Sequence, residues 1–227
     1  MKQLRYMALA AVAFVAAACN NDYQPRPEGT FEVTAVAECE GTRTQIAADN
    51  SLAWSDTDVI GVYVDGIQSN RAFNRMGDNF VGSFSYLGKE STSATFRAYY
   101  PRTEHNNGYN ITAVLPADQF AEFDGSADFM IAEPIVATYT EESKMTDLQF
   151  TFGPNSHLFT VLRLTLTDGQ EGALAGESVS MVRITSEGNT LCGTFNVDMR
   201  DPSNAVTFTK PKDCINLTFK NSRPKLN

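Results

Sequence analysis

The stretch "LFTVLRLTLT", residues 158–167, sets polar and apolar side chains in alternation. On an extended chain Val161, Arg163, Thr165 and Thr167 face one way, and Leu162, Leu164 and Leu166 face the other. An amphipathic helix would space its apolar residues three and four apart instead. The stretch reads as a strand with one face on a core. The same character recurs along the chain in "TFEVTAVA" (30–37), "VIGVYV" (59–64), "NFVGSFSY" (79–86), "ATFRAYY" (94–100), "YNITAVL" (109–115) and "LQFTF" (148–152). It continues in "SVSMVRIT" (178–185), "GTFNVDM" (193–199), "AVTF" (205–208) and "CINLTF" (214–219). Each segment is bounded by Gly, Asn, Asp or Pro turn residues. Beyond residue 18 no stretch keeps helical periodicity over three turns. Many short strands at this spacing predict an all-β chain built as a β-sandwich.

The strand pattern breaks at "DGQEGALAGE" (168–177), where glycine and charge take over. The expected organisation is a β-sandwich domain over 30–170, followed by a second, shortened β-sandwich-like region over 175–227. About seven strands are a usual sandwich minimum, and the second block has only about four. The tail "KNSRPKLN" offers no further strand.

The N-terminus fixes the compartment. Lys2 and Arg5 precede an uncharged apolar run from Met7 to Ala18. A membrane-spanning helix needs about 20 apolar residues, so this run is too short to cross and suits the apolar region of a signal peptide. The small residues Ala16, Ala17 and Ala18 sit directly before Cys19. That arrangement resembles the lipobox of bacterial lipoproteins, although Ala16 stands where Leu is commonest. The resemblance implies removal of residues 1–18, a diacylglycerol on the Cys19 thiol, and a lipid-anchored linker over 19–29. Stable anchoring takes more than one acyl chain, which lipoproteins have. An ordinary signal peptide with an incidental cysteine, and a short buried helix over 7–18, are the competing readings. Asn20, Asn21 and Asp22 are weakly similar to the acidic tether of surface-exposed lipoproteins.

Composition narrows the function classes. Of 227 residues 42% are hydrophobic and 11% aromatic, ample for a packed core and too rich for a disordered chain. The net charge of −9 becomes −11 when the two positive charges of Lys2 and Arg5 leave with the signal peptide. Nucleic-acid binding rests on neutralising phosphates with Lys and Arg, so no nucleic-acid partner is expected. Besides Cys19 the chain has Cys39, Cys192 and Cys214. Cys192 and Cys214 lie in neighbouring strand-like segments and are the candidate disulfide pair for an oxidising compartment, with geometry left open by the sequence.

Catalytic and metal motifs are weak. His105 sits in a loop and His157 in the turn before 158–167, and the latter reads as structural. Two histidines without an H-E-x-x-H pattern predict no metal site and no cofactor. "GSFSY" lacks the second glycine of a nucleophile elbow. Asp56 and Asp58 open a calcium-loop-like "DTDVIG", but Ile60 and Ile67 occupy positions where ligands belong, so an Asp-capped turn is expected. Glu122, Asp124 and Asp128 fall in a polar segment, where a carboxylate cluster is more often a solvated face than a glycosidase pair. Trp54, Tyr63, Tyr99 and Tyr100 could stack on sugars, yet aromatics in strands are more often core residues. The chain is therefore expected not to be an enzyme.

Four segments taken in order carry a family resemblance: "LAWSDTDVIGVYV", "ATFRAYYP", "LPADQFAEFDGSADFMIA" and "LQFTFGPNSHLFTVLRLTL". Their order and spacing resemble the fimbrillin family, the pilin-like surface lipoproteins of Gram-negative anaerobes. The resemblance covers about 30–167 well and 175–219 loosely. It implies two transthyretin-like, Greek-key β-sandwich domains, export to the outer membrane as a lipoprotein, and other fimbrial subunits as partners through strand exchange. Host or bacterial surface ligands are further implied partners. In stalk subunits an Arg-specific protease removes the N-terminal strand, and a neighbour's strand fills the groove. Carried onto this chain, the cleavage site is Arg43 in "EGTRTQIA"; Arg26 is poorer because Pro27 follows it. The bland reading of Arg43 is a solvated residue at a strand edge. Anchor and accessory subunits need not be cleaved, and the shortened second region departs from the stalk pattern. The expected function is a structural, accessory or adhesive fimbrial component. The alternative is a glycan-binding surface lipoprotein, which would need an exposed strip of aromatics.

Overall fold

The computed structural model describes residues 33–219 except 41–44, 47–51, 85–91, 107, 123–124, 140–144, 168–175 and 202, and adds Pro224. Among these residues run sixteen strands and one short 3-10 turn, Pro154–Ser156. The first six strands are β1 Val33–Glu40, β2 Gln45–Ile46, β3 Leu52–Ala53, β4 Val59–Val64, β5 Gln68–Met76 and β6 Asn79–Phe84. Next come β7 Thr92–Tyr100, β8 Asn110–Leu115, β9 Asp118–Phe120, β10 Met130–Ile131, β11 Ile135–Tyr139 and β12 Met145–Thr151. The last four are β13 Met181–Thr185, β14 Cys192–Asp198, β15 Thr207–Lys212 and β16 Cys214–Thr218. No helix among the described residues is long and apolar enough to cross a membrane. The chain is all-β, as its period-two pattern predicts.

The largest sheet runs β10-β7-β4-β5-β6-β1-β12, with β11 sharing the edge of β7 with β10. Its neighbours are antiparallel except β1 and β12, which run parallel. Two tight hairpins link β4, β5 and β6, and each turns at a glycine with positive φ, Gly66 and Gly77. The sheet curls until β11 lies against β12. Ile60, Val62, Val64, Phe73, Phe80, Phe84, Phe96, Phe150 and Phe152 fill the inside.

A second core sits on the other side of β4 and β7. Tyr63 and Tyr99, which alternate with the first-core residues Val62, Val64, Ala98 and Tyr100, point into it. Facing them are Ile111, Ala113 and Leu115 from β8 and Cys192, Phe195 and Val197 from β14. β10 alternates too: Met130 belongs to the first core, Phe129 and Ile131 to the second. Strands buried on both faces read as continuous apolar runs, which accounts for "VIGVYV" and "FMIA".

Three expectations change. Among the described residues the stretch 158–167 joins no sheet: Leu158 and Phe159 are anchored, and residues 160–167 belong to no strand. Six strands arise where no strand is expected: the longer β5 and β11, and the two- and three-residue β2, β3, β9 and β10. β5 buries only Phe73 and Asn70 among its described side chains, and it holds its place through ladders to β4 and β6 rather than by apolar content. Finally, a boundary near 170 does not separate the sheets. β8 pairs with β14 in the sheet β15-β14-β8, and β9 pairs with β16 in the sheet β13-β16-β9. Strands from the first block thus complete both C-terminal sheets.

Candidate functional site: a motif cluster and an open pair of sheets

The sequence motifs meet in space. In "WSDTD", Asp58 closes the turn by accepting from the Ser55 backbone N–H at 2.7 Å, and its other oxygen accepts from the Tyr100 hydroxyl at 2.9 Å. This is the Asp-capped turn expected at "DTDVIG". Trp54 stands edge-on to Phe80, Tyr100 and Phe152, with ring centroids 5.1, 5.2 and 5.8 Å away. Gly61 pairs with Tyr99 across β4 and β7, and a Cβ on Gly61 would run into the Tyr99 ring. The Tyr99 hydroxyl lies 2.8 Å from Asn70 Oδ1, and it accepts from the Thr103 N–H at 3.0 Å. Asn70 Nδ2 in turn donates to Thr103 O at 2.7 Å. The Tyr63 hydroxyl, donating to Asn106 O at 3.2 Å, is pushed well above its ordinary pKa by burial.

"SADFMIA" and "NSHLF" are stapled to each other. His157 Nδ1 lies 2.6 Å from Asp128 Oδ1, Met130 bridges to His157, and the Leu158 N–H donates to Phe129 O at 2.7 Å. Asp128 is 2% exposed, so it is a buried partner and not part of a solvated acidic face. Burial raises its pKa, and the His157 hydrogen bond only partly opposes that rise. Phe159 then packs against Phe129, Phe195 and Phe208. His157 is a structural residue; His105 stays exposed in its loop. Trp54, Tyr63, Tyr99 and Tyr100 are all held in the two cores, which leaves no exposed strip among them for sugars. Among the described residues no group of three His, Cys, Asp or Glu side chains converges on a metal-sized site.

The region that is not closed lies at β13, β16 and β9. Val182 pairs with Leu217 and Ile184 with Ile215, and all four side chains are only half-buried. Ile215 alone of these packs on the second core. On the opposite face Met181 and Phe120 flank Thr218 in one row, and both are exposed. Among the described residues β13 carries β16 on one side and no strand on the other. Residues 160–167 add exposed apolar surface, Leu162 at 66% and Leu164 at 47%. The end of β14 is tied to the large sheet by polar contacts. Arg97 pairs with Asp65 at 3.0 Å and donates to Met199 O at 3.1 Å, next to Asp198 and Arg200, whose side-chain bond holds the Asp198 carboxyl below its usual range.

Cys192 and Cys214 are close but not bridged. Both thiols are free, and the buried Cys192 Sγ donates to the Cys214 carbonyl at 3.1 Å. Cys214 opens β16 in register with the exposed Thr185, on the face shared with Asn216 and Thr218, whereas Cys192 belongs to the second core. Burial pushes the Cys192 thiol pKa up.

The sequence matches the fimbrillin-like family over residues 42–222. The chain belongs to the fimbrillin-like family. A similar solved structure is that of a "putative cell adhesion protein" from Bacteroides ovatus, 13% identical, covering 87% of this chain and 76% of that one with a TM-score of 0.47. No curated protein matches the sequence. The fimbrillin-like match runs through 175–219, where the resemblance in sequence is loose, and so includes both C-terminal sheets. Cys19, the expected signal peptide over 1–18, the expected linker over 19–29 and Arg43 lie outside the described residues. Sequence reading missed β9, too short and polar to stand out, and the open edge of β13, which only pairing reveals.

Proposed function

We propose that this fimbrillin-like chain is a non-enzymatic, lipid-anchored cell-surface protein that serves as a structural, accessory or adhesive component of fimbriae and joins other subunits by strand addition. The observation that carries the reading is the position of β1. It lies between β6, antiparallel to it, and β12, parallel to it. Arg43 follows three residues after the end of β1. Cleavage there and release of β1 would leave two ladder edges facing each other across a gap one strand wide. Unpaired backbone N–H and C=O groups along such a gap are satisfied by an incoming strand, the physics of β-augmentation. Cys19 supplies the anchor to the outer membrane, and the acidic body outside it carries the surface contacts.

The test uses the mature protein with and without Arg-specific proteolysis, followed by sedimentation alone and with fimbrial subunits. Association that appears or strengthens after cleavage at Arg43 is expected. A protein that stays monomeric and ignores other subunits under both conditions would sink the assembly reading.

A further inference from the structure

We infer that the outer face of the sheet β13-β16-β9 seats a second copy of this chain, the two copies packing face to face about a two-fold axis that runs along β16. The contact is made by side chains on a sheet face. It exchanges no strand and goes beyond the assembly reading above.

Side chains on this face form a grid. Arg183, Asn216 and Asp118 stand in register across the three strands, and Met181, Thr218 and Phe120 form the next row. Thr185 and Cys214 begin a third. Arg183 Nε donates to Asn216 Oδ1 at 2.9 Å, and Asn216 Nδ2 donates to Asp118 Oδ1 at 2.7 Å. Arg183 and Asp118 are exposed, and so are Met181 at 49% and Phe120 at 51%. The Asn216 amide thus orients a row that is positive at β13 and negative at β9.

Such a row is its own complement. Two faces can meet about a two-fold axis that runs across the strands or along them. With the axis across the strands, β13 lies over β13, so Arg183 meets Arg183 and Asp118 meets Asp118. Like charges placed opposite each other are penalised at an interface. With the axis along β16, β13 of one copy lies over β9 of the other. Arg183 then faces Asp118 on both sides of the axis, and Met181 faces Phe120 on both sides. Cys214, Asn216 and Thr218 meet their own equivalents. The charges select this arrangement, and it also brings the exposed apolar residues together. Each patch meets itself, so the contact is isologous and closes at two copies. A patch three strands wide and five residues long covers about 14 Å by 16 Å. Stable complexes bury roughly 1,200 Å² or more in total, so this pair is weak and forms where copies are concentrated.

The test is thiol cross-linking of the mature protein in detergent with a short bismaleimide, over a range of protein concentrations. Stacked sheets lie about 10 Å apart, which brings two Cys214 thiols at the axis within its reach. A Cys214–Cys214 product that rises with concentration is expected, identified by mass mapping of the linked peptides. Arg183→Asp and Asp118→Arg, each alone, set like charges face to face and should cut the product by about tenfold. The two together restore complementarity, because the Asn216 amide can turn over to serve the exchanged charges, and should return the parental yield. Cys192, buried in the second core, should stay unlabelled in every variant, which shows that each folds. A parent that yields no Cys214–Cys214 product at any concentration would overturn the inference. So would a product that charge reversal leaves at the parental yield, or one that the double variant fails to recover. In native membranes, a Cys214 link to a different polypeptide in place of the self-product would assign the face to another partner and overturn it as well.

Discussion

Gly61 lies directly beneath the ring of Tyr99, in the one place on β4 where a side chain would collide with the aromatic residue paired opposite it. The contact turns a sequence oddity, a glycine inside "VIGVYV", into a requirement. Without a Cβ at 61 the Tyr99 ring lies flat enough for its hydroxyl to reach Asn70 and Thr103. Gly61→Ala is expected to destabilise the fold by about 1–3 kcal/mol, the usual cost of forcing extra volume into a packed core. Urea unfolding checks it. A variant as stable as the parent would mean that the ring moves aside freely.

The Asp128–His157 pair makes a prediction about pH. Burial raises the folded-state pKa of Asp128 above its ordinary 3.8. A carboxyl with a raised folded value favours the fold while protonated. That contribution is complete below the unfolded value and is lost as pH rises through the folded one. Asp128→Asn cannot titrate there. Its stability relative to the parent should therefore climb as pH rises from about 3.8 and level off above the raised value. The constant offset from the altered hydrogen bond to His157 does not affect this slope. Thermal unfolding of both proteins across the acid range gives the comparison, and a flat difference would contradict it.

The cysteines should separate by reactivity. Cys192 is fully buried with its thiol pKa raised, whereas Cys214 is half-exposed at the start of β16. A maleimide reagent on the folded protein should label Cys214 well before Cys192, with Cys192 following only on unfolding, because the thiolate is the reacting form. Mass mapping of labelled peptides reads the order. Equal labelling rates would show that β14 opens readily.

The anchor is tested by Cys19→Ser. The variant should leave the membrane fraction or stall with its signal peptide attached, since acyl chains supply the binding energy. Unchanged membrane fractionation would remove lipidation from the account.

Much of the fold is legible because period two survives wherever one face is buried. β4, β7, β8 and β14 fall within two residues of the expected segments. β5 is not legible, because a strand flanked on both sides can be held by backbone pairing while carrying Arg71, Asn74 and Arg75. The glycine turns at Gly66 and Gly77 on either side of it were its only local signal. The failure at 160–167 is the converse: alternation states what a segment can pair with, and pairing depends on a partner being in reach. Among the site residues, the role of His157 could be read from its turn, while its buried partner Asp128 could not. Asp128 is 29 positions away in the chain and looked like a member of a solvated acidic cluster.

The sheet order also dictates a timetable. Every strand around the first core has been made by Thr151, the end of β12. The second core cannot close until β14 and β16 arrive, because only they pair with β8 and β9. Until β14 and β16 are available, Tyr63, Tyr99, Ile111 and Phe129 lack Cys192, Phe195, Val197 and Ile215, the part of the second core that the end of the chain supplies. A nascent chain thus carries a finished half bearing an aromatic wall, and residues 181–218 serve it as a cover that must arrive before a stranger does.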